Sequence, residues 1–312
     1  MTQIVTLTMN PALDISTDVD RVVPTHKLRC SEEKIQPGGG GINVARVIRR
    51  LEMPTTAIYP AGGFTGQLLT QALDQEYVQS HCVPIAGETR ECFTVHETSS
   101  GKDFRFLLPG PILSENEQHA CLNAADTVGS VARFLVASGS LPPGVPEDFY
   151  TKIAKQAQAR QQAFVLDTSG AALRAALTVG VYLFKPSLRE LEELIGTSLN
   201  SEQQWREAAT EIVRSGHAQI VALSLGEEGA LLVTADQTLR APAVPVKVVS
   251  TVGAGDNFLA GILWGLCKNL SLEHALGYGM ASAAAALMNA HTNLCNPADL
   301  HRLYEQVRVS SL

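Results

Sequence analysis

Two glycines and an alanine run into a carboxylate at Ser250-Thr251-Val252-Gly253-Ala254-Gly255-Asp256, and an apolar series follows with Phe258, Leu259, Ile262, Leu263 and Leu266. The pattern predicts a tight turn opening a buried helix. The first turn of a helix carries N–H groups without intrahelical partners and the positive end of the macrodipole, so it attracts anions. Glycine lets the backbone approach a phosphate closely. A carboxylate beside such an anion hole would repel a ligand that merely sat there. It suits a base that takes the proton of a hydroxyl attacking a phosphoryl group. The same residues also fit a glycine turn with Asp256 as a helix N-cap, and the segment alone supports both.

A second stretch, Gln36-Pro37-Gly38-Gly39-Gly40-Gly41-Ile42-Asn43-Val44-Ala45, enters a helix through four consecutive glycines. Such a run brings backbone tightly against a polar ligand, and Asn43 both donates and accepts, as sugar hydroxyls require; a flexible hinge is the competing reading. Asp14, in Asn10-Pro11-Ala12-Leu13-Asp14, offers two oxygens to hydroxyls, or is an ordinary turn carboxylate. Ser224-Leu225-Gly226-Glu227-Glu228-Gly229 lies between two strands and suits either nucleotide wrapping or a plain hairpin. In Lys185-Pro186-Ser187-Leu188-Arg189-Glu190, at a strand end opening a helix, Glu190 suits a metal held through water or a favourable charge in a first helical turn.

The elements that must position these residues alternate. Apolar runs at Ile4–Met9, Thr55–Tyr59, Phe134–Ala137, Ala163–Asp167, Tyr182–Phe184 and Gln219–Leu225 predict strands, with a further strand at Ala230–Thr234. Helical spacing covers Gly41–Leu51, Phe64–Leu73, Pro146–Gln161, Ala171–Thr178, Ser187–Ile195 and Glu202–Ser215. Such alternation implies a mainly parallel sheet covered by helices on both faces, with ligands at the C-terminal ends of strands. Two polar stretches with period-two patterning, Leu13–Gln36 and Glu91–Leu108, break the pattern. They read as a small antiparallel sheet projecting as a lid, whose exposed face or edge invites a second copy and hence a homodimer.

Composition narrows the classes. The 312 residues are 45% apolar and 18% charged, with no low-complexity tract, which suits one large α/β domain or two smaller ones rather than a disordered chain. No linker divides it, so 1–312 reads as one domain. A net charge of −7 argues against nucleic-acid or membrane partners, so any phosphate site must be built from local cations. The opening MTQIVTLTMN lacks the features of a signal peptide, and Ala281–Leu287 is too short to span a bilayer. Six cysteines without a C-x-x-C pair predict reduced thiols in a cytoplasmic protein, and eight histidines show no metal-ligand spacing. No Walker A loop occurs, and no G-x-G-x-x-G follows the first strand.

Together, Pro37–Asn43 and Thr251–Asp256, about 210 residues apart, resemble the two signatures of the PfkB (ribokinase-like) carbohydrate kinases, and the resemblance covers essentially the whole chain. Leu28-Arg29-Cys30, Pro37–Arg46 and Ser138-Gly139-Ser140-Leu141-Pro142-Pro143-Gly144 are most similar to the 6-phosphofructokinase branch. Thr8-Met9-Asn10-Pro11-Ala12-Leu13-Asp14 is closer to the branch acting on fructose 1-phosphate and tagatose 6-phosphate.

The resemblance implies a three-layer α/β/α sandwich with a β lid that transfers the γ-phosphoryl of ATP to the C1 hydroxyl of fructose 6-phosphate. Kinases of tagatose 6-phosphate or fructose 1-phosphate are the alternatives, and a non-catalytic sugar-phosphate sensor is the rival outside enzymology. It implies Asp256 as base and the Gly253, Ala254 and Gly255 backbone as anion hole. Asp14, Gly38, Gly39 and Asn43 would take sugar hydroxyls. Arg90, Lys27 and Ser140 would take the sugar's phosphate, ahead of Arg29 and Arg105. Lys185, Ser187, Ser224, Gly226, Gly229 and Thr251 would line the nucleotide. Mg2+ would sit near Glu190 through water, and the carbonyls of Ser250 and Val252 would suit K+. The family's N-x-x-E motif stands here as Ser187-Leu188-Arg189-Glu190, with serine in place of asparagine.

Overall fold

The computed structural model describes residues 3–289 and 294–312. Its strands are β1 (Ile4–Leu7), β2 (Ala12–Val19), β3 (Lys34–Gly38), β4 (Thr55–Ala61), β5 (Gln79–Pro84), β6 (Arg90–Glu97), β7 (Lys102–Leu107), β8 (Phe134–Ser138), β9 (Ala163–Asp167), β10 (Val181–Phe184), β11 (Ala218–Ser224), β12 (Ala230–Val233), β13 (Thr238–Ala241) and β14 (Ser310–Ser311). Its helices are α1 (Gly40–Arg50), α2 (Gly63–Gln75), α3 (Glu115–Thr127), α4 (Phe149–Ala159), α5 (Gly170–Leu177), α6 (Leu188–Ile195), α7 (Glu202–Arg214), α8 (Ala254–Cys267), α9 (Leu272–Leu287) and α10 (Pro297–Tyr304).

The large sheet has the order β14-β13-β12-β11-β10-β9-β8-β1-β4-β5, parallel from β11 to β5 and antiparallel from β11 to β14. Its central strands are apolar on both faces, as strands covered on two sides must be. Leu135 and Ala137 of β8 face a core shared with Cys121, Phe149, Leu173 and Ile212. Phe134 and Val136 face the opposite core, with Val44 and Val47 of α1, Phe258 and Ile262 of α8, and Leu276 of α9. The fold is thus a three-layer α/β/α sandwich. Helices α8 and α9 cross closely, because a Cβ on Gly261 would strike the Tyr278 carbonyl. Among the described residues no helix is long and apolar enough to cross a membrane.

The small sheet has the order β3-β2-β6-β7 and projects from the same molecule. Its outer pairings, β2–β3 and β6–β7, are antiparallel as expected, but β2 and β6 at its centre run parallel. Each of these two leaves the main sheet directly after a parallel strand, β1 and β5 respectively, so both project in the same direction. Ile35, Phe106, Leu107 and Leu108 leave apolar surface exposed on it.

Several elements fall outside the periodic signal. The buried face of α3 is Cys121, Ala124 and Ala125, and that of α9 is largely alanine and glycine. Small residues bury a helix without the large-apolar rhythm that marks one in sequence. β13 and β14 are short strands of four and two residues, with β14 at the edge of the sheet.

Candidate active site

The glycine run and the lid meet at a polar cleft of about 300 Å3. Asp14 projects from β2, and Gly38 closes β3 beside it. A Cβ on Gly38 would fall within contact distance of the Asp14 carboxylate, so glycine is the residue that leaves Asp14 its place. Gly39, with φ of 110°, turns the chain from β3 into α1, and Gly39, Gly40 and Asn43 line the cleft. Burial pushes the Asp14 carboxyl up to about 6, with Arg105, Arg46 and Arg90 pulling the other way.

Asp256 enters the same cleft from the first turn of α8. The residue at the helix N-cap is Gly253, in the left-handed region at φ 75°, with no side-chain cap. Asp256 is the third residue of the helix, and its Oδ2 accepts a hydrogen bond from Asn43 Nδ2 at 2.8 Å rather than serving its own backbone. Burial, then the nearby Asp167 carboxylate, push the Asp256 carboxyl up to about 7 against the Asn43 hydrogen bond and Lys185. A carboxyl so placed titrates where a general base of neutral solution should. Asn257 anchors this turn, donating to the Gly253 carbonyl at 2.7 Å and accepting from the Cys295 N–H at 3.0 Å.

Asp167, at the C-terminal end of β9, lies in the cleft and holds Lys185 Nζ at 3.2 Å, while Ser138 donates to its other oxygen at 3.1 Å. Burial opposes the Lys185 charge, but Asp167, Glu190 and Asp256 outweigh it and hold its pKa above the ordinary lysine value. A Cβ on Gly255 would sit 3.3 Å from Lys185 Nζ, so this ammonium lies directly against the first turn of α8.

On the other side of that turn is a larger, mainly apolar cleft of about 620 Å3, lined by Thr251, Ala254, Gly255 and Phe258 with Ser224, Gly226 and Gly229. The segment from Gly226 to Glu228 forms a short 3-10 turn between antiparallel β11 and β12, so it is a hairpin connection that also lines this cleft. One helix start therefore faces two clefts: Val252, Gly253 and Asp256 the polar one, Thr251, Ala254 and Gly255 the apolar one.

Ser187 and Glu190 form a capping box at the start of α6: Glu190 N donates to Ser187 Oγ at 3.3 Å, and Ser187 N donates to Glu190 Oε2 at 2.7 Å. Glu190 also lines the polar cleft, so its helix-cap and cleft positions coexist. Ser250 is buried, its hydroxyl accepting from the Val252 N–H at 3.3 Å. Ser140 lines the polar cleft and accepts from Asn10 Nδ2 at 3.4 Å.

The lid cations divide. Arg90 lines the polar cleft, but three of its donors already hold backbone carbonyls: Asn10 and Leu108 at 2.9 Å, and Pro11 at 3.4 Å. Arg105, on β7, lines the cleft beside it. Lys27 and Arg29 lie on the exposed connection between β2 and β3 and line neither cleft of the chain, because residues 20–33 extend beyond the paired strands into solvent. The resemblance placed Lys27 ahead of Arg105; within one chain it is Arg105 that lines the polar cleft. Asp167 and Arg46 carried no role in the sequence reading. The signal for Asp167 was a carboxylate closing an apolar strand, and for Arg46 a cation on the apolar face of α1.

The chain is a phosphotransferase of ribokinase-like fold with an alcohol group as acceptor, and one helix start stands between its apolar cleft and a polar cleft lined by four carboxylates and two arginines. Residues 7–299 match the model of the pfkB family carbohydrate kinase, and the chain belongs to that family. It is 46% identical over 303 residues to the ATP-dependent 6-phosphofructokinase isozyme 2 of Mycobacterium tuberculosis, covering 97% of this chain and 89% of the relative. The phosphofructokinase-2 of Escherichia coli, solved with potassium, superimposes with a TM-score of 0.94 at 41% identity, covering 98% of this chain and 99% of that one. The same enzyme solved with fructose 6-phosphate gives a TM-score of 0.92 at 40% identity and the same coverage.

Proposed function

We propose that the chain transfers the γ-phosphoryl of ATP to the C1 hydroxyl of fructose 6-phosphate, giving fructose 1,6-bisphosphate and ADP. The observation that carries this reading is the first turn of α8, with Asp256 facing the polar cleft and the Gly255 backbone facing the apolar one. The sugar lies in the polar cleft, its hydroxyls on Asp14 and Asn43 and its phosphate toward Arg90, Arg105 and Ser140. ATP lies along the apolar cleft, with its γ-phosphoryl at the N–H groups of Gly253, Ala254 and Gly255. Asp256 takes the C1 hydroxyl proton as that oxygen bonds to phosphorus, and the bond from phosphorus to the bridging oxygen breaks to release ADP. Lys185 meets the negative charge that develops there.

Among the described residues no group of three acidic, histidine or cysteine side chains could hold a metal directly, so Mg2+ would be carried by nucleotide oxygens and water, with Glu190 as the protein's nearest anion. Mg2+ bound there would neutralise phosphate charge. A monovalent cation such as K+ at the carbonyls of Ser250 and Val252 belongs to the same reading. So does cytoplasmic placement, which suits six cysteines none of which is disulfide-bonded.

An ADP-release assay with Mg-ATP across ketose phosphates and free sugars tests the function. Turnover is expected on fructose 6-phosphate above tagatose 6-phosphate and fructose 1-phosphate; silence across the panel refutes it. Ser187→Asn should lower the Mg2+ concentration needed for half-maximal rate and leave the melting temperature unchanged, since asparagine caps a helix as well as serine does. Superimposable Mg2+ curves would remove any role for this position in metal organisation. Homodimerisation through the lid belongs to the same proposal. Phe106, 55% exposed on edge strand β7, is its probe. Phe106→Asp should convert a dimer to a monomer in sedimentation equilibrium, and an unchanged mass rules out this face.

A further inference from the structure

We infer that Arg46 is a positioning residue for the proposed base: it fixes the side-chain amide of Asn43 so that its NH2 group faces Asp256. The inference rests on the reading of Asp256 as the base.

Arg46 is fully buried, the largest such side chain among the described residues. Its Nε donates to both oxygens of Glu76 at 3.0 Å and its Nη2 to Glu76 Oε1 at 2.5 Å. Its Nη1 donates to the Pro37 carbonyl at 2.8 Å and to Asn43 Oδ1 at 3.3 Å. Burying a cation with its partner is costly, and apolar residues of similar volume commonly serve a core as well or better. What an apolar residue cannot supply is direction. A guanidinium only donates, so the amide atom facing it has to be the oxygen, and the amide nitrogen is left for Asp256 Oδ2 at 2.8 Å. With the amide reversed, an oxygen would face the carboxylate and an N–H the guanidinium, two repulsions in place of two bonds.

An N–H donated to a carboxylate favours its ionised form. Asp256 is faced by Asp167 from β9, Lys185 after β10, Asp14 from β2 and the Asn43 amide from α1, and Asn43 and Lys185 are the groups that favour its charge. Arg46 is faced by Glu76, and Arg50 stands 3.6 Å from the same carboxylate. Arg46 also draws the Asp14 carboxyl downward, so one buried cation bears on two of the four carboxylates of the polar cleft, Asp14 through space and Asp256 through Asn43.

The test measures kcat and KM with Mg-ATP and fructose 6-phosphate across neutral pH, for Arg46→Gln, Arg46→Lys and Glu76→Gln, each normalised to its folded fraction by circular dichroism. For Arg46→Gln the acid limb of kcat/KM for fructose 6-phosphate should move up by about one pH unit, with a loss of about fivefold at pH 7 and little change in the KM for ATP. Arg46→Lys should recover part of the shift, and Glu76→Gln should shift the limb less, in the same direction. If Arg46→Gln does not fold, Glu76→Gln decides, because it leaves Arg46 and Asn43 in place and removes only the anchor. A limb that stays put while rate follows folded fraction gives Arg46 a purely structural role and overturns the inference. Asp256→Asn in the same assay separates the two readings: retained turnover there removes the base, whereas an inactive Asp256→Asn beside an unshifted Arg46→Gln removes only this inference.

Discussion

Asp256→Asn is expected to lose at least about a hundredfold in turnover while gaining thermal stability near pH 8. The two effects share one cause. Asparagine keeps an oxygen able to accept the 2.8 Å hydrogen bond from Asn43, so the shape of the cleft survives, but it cannot take a proton from the attacking hydroxyl. The folded protein pushes the Asp256 carboxyl to about 7 from an ordinary 3.8, chiefly by burial. Between those values the native state keeps a proton that the unfolded chain has released, so stability from this group falls as pH rises through the window and its cost is complete above it. Replacing the carboxylate removes that cost, and the advantage should fade below about pH 4, where both states are protonated. The same titration predicts that wild-type kcat/KM for the sugar phosphate rises as pH increases through about 7. Melting curves at pH 4 and pH 8 beside a steady-state assay check all three, and a variant less stable than wild type at pH 8 contradicts the account.

Gly38→Ala is expected to act on the sugar side alone. The added Cβ would collide with the Asp14 carboxylate and with no backbone atom among its nearest contacts, so the short Asp14 side chain must yield. Hydrogen bonds to a charged group contribute about 1.5–3 kcal/mol, so kcat/KM for the sugar phosphate should fall by roughly ten- to a hundredfold. Gly38 lies at the end of a lid strand rather than in the main core, so the melting temperature should change little. The KM for ATP should hold, because Gly38 and Asp14 line no part of the apolar cleft. Asp14→Asn should reproduce part of the loss without the steric change. Equal damage to both substrates would mean that the substitution disturbs α1 rather than Asp14.

The central sheet was readable because each strand buries residues on both faces and so appears as an unbroken apolar run, as at Phe134–Ala137 and Ala163–Asp167. The two glycine runs were readable because close approach of backbone leaves a compositional trace. α3, α9, β13 and the parallel join of β2 to β6 left no such trace, since small residues, a four-residue strand and strand direction do not alter local periodicity. Lid cations were visible as charges, yet their relation to the cleft was not. Arg105 reaches it because β7 pairs with β6, and Lys27 does not because its connection runs past the strands.

By itself the sequence determined the alternating α/β architecture, the helix start at Gly253–Asp256 and the chemistry its residues permit, because each is a property of neighbouring residues. Whether Asp256 capped its own helix or turned into the polar cleft was decided only when α1 packed against α8 and brought Asn43 to it from 213 positions away. The same holds for Asp167 against Lys185, which meet because β9 and β10 are adjacent in the sheet. Burial then raised the Asp256 carboxyl to about 7, a value set by the surrounding fold and absent from any segment of the chain.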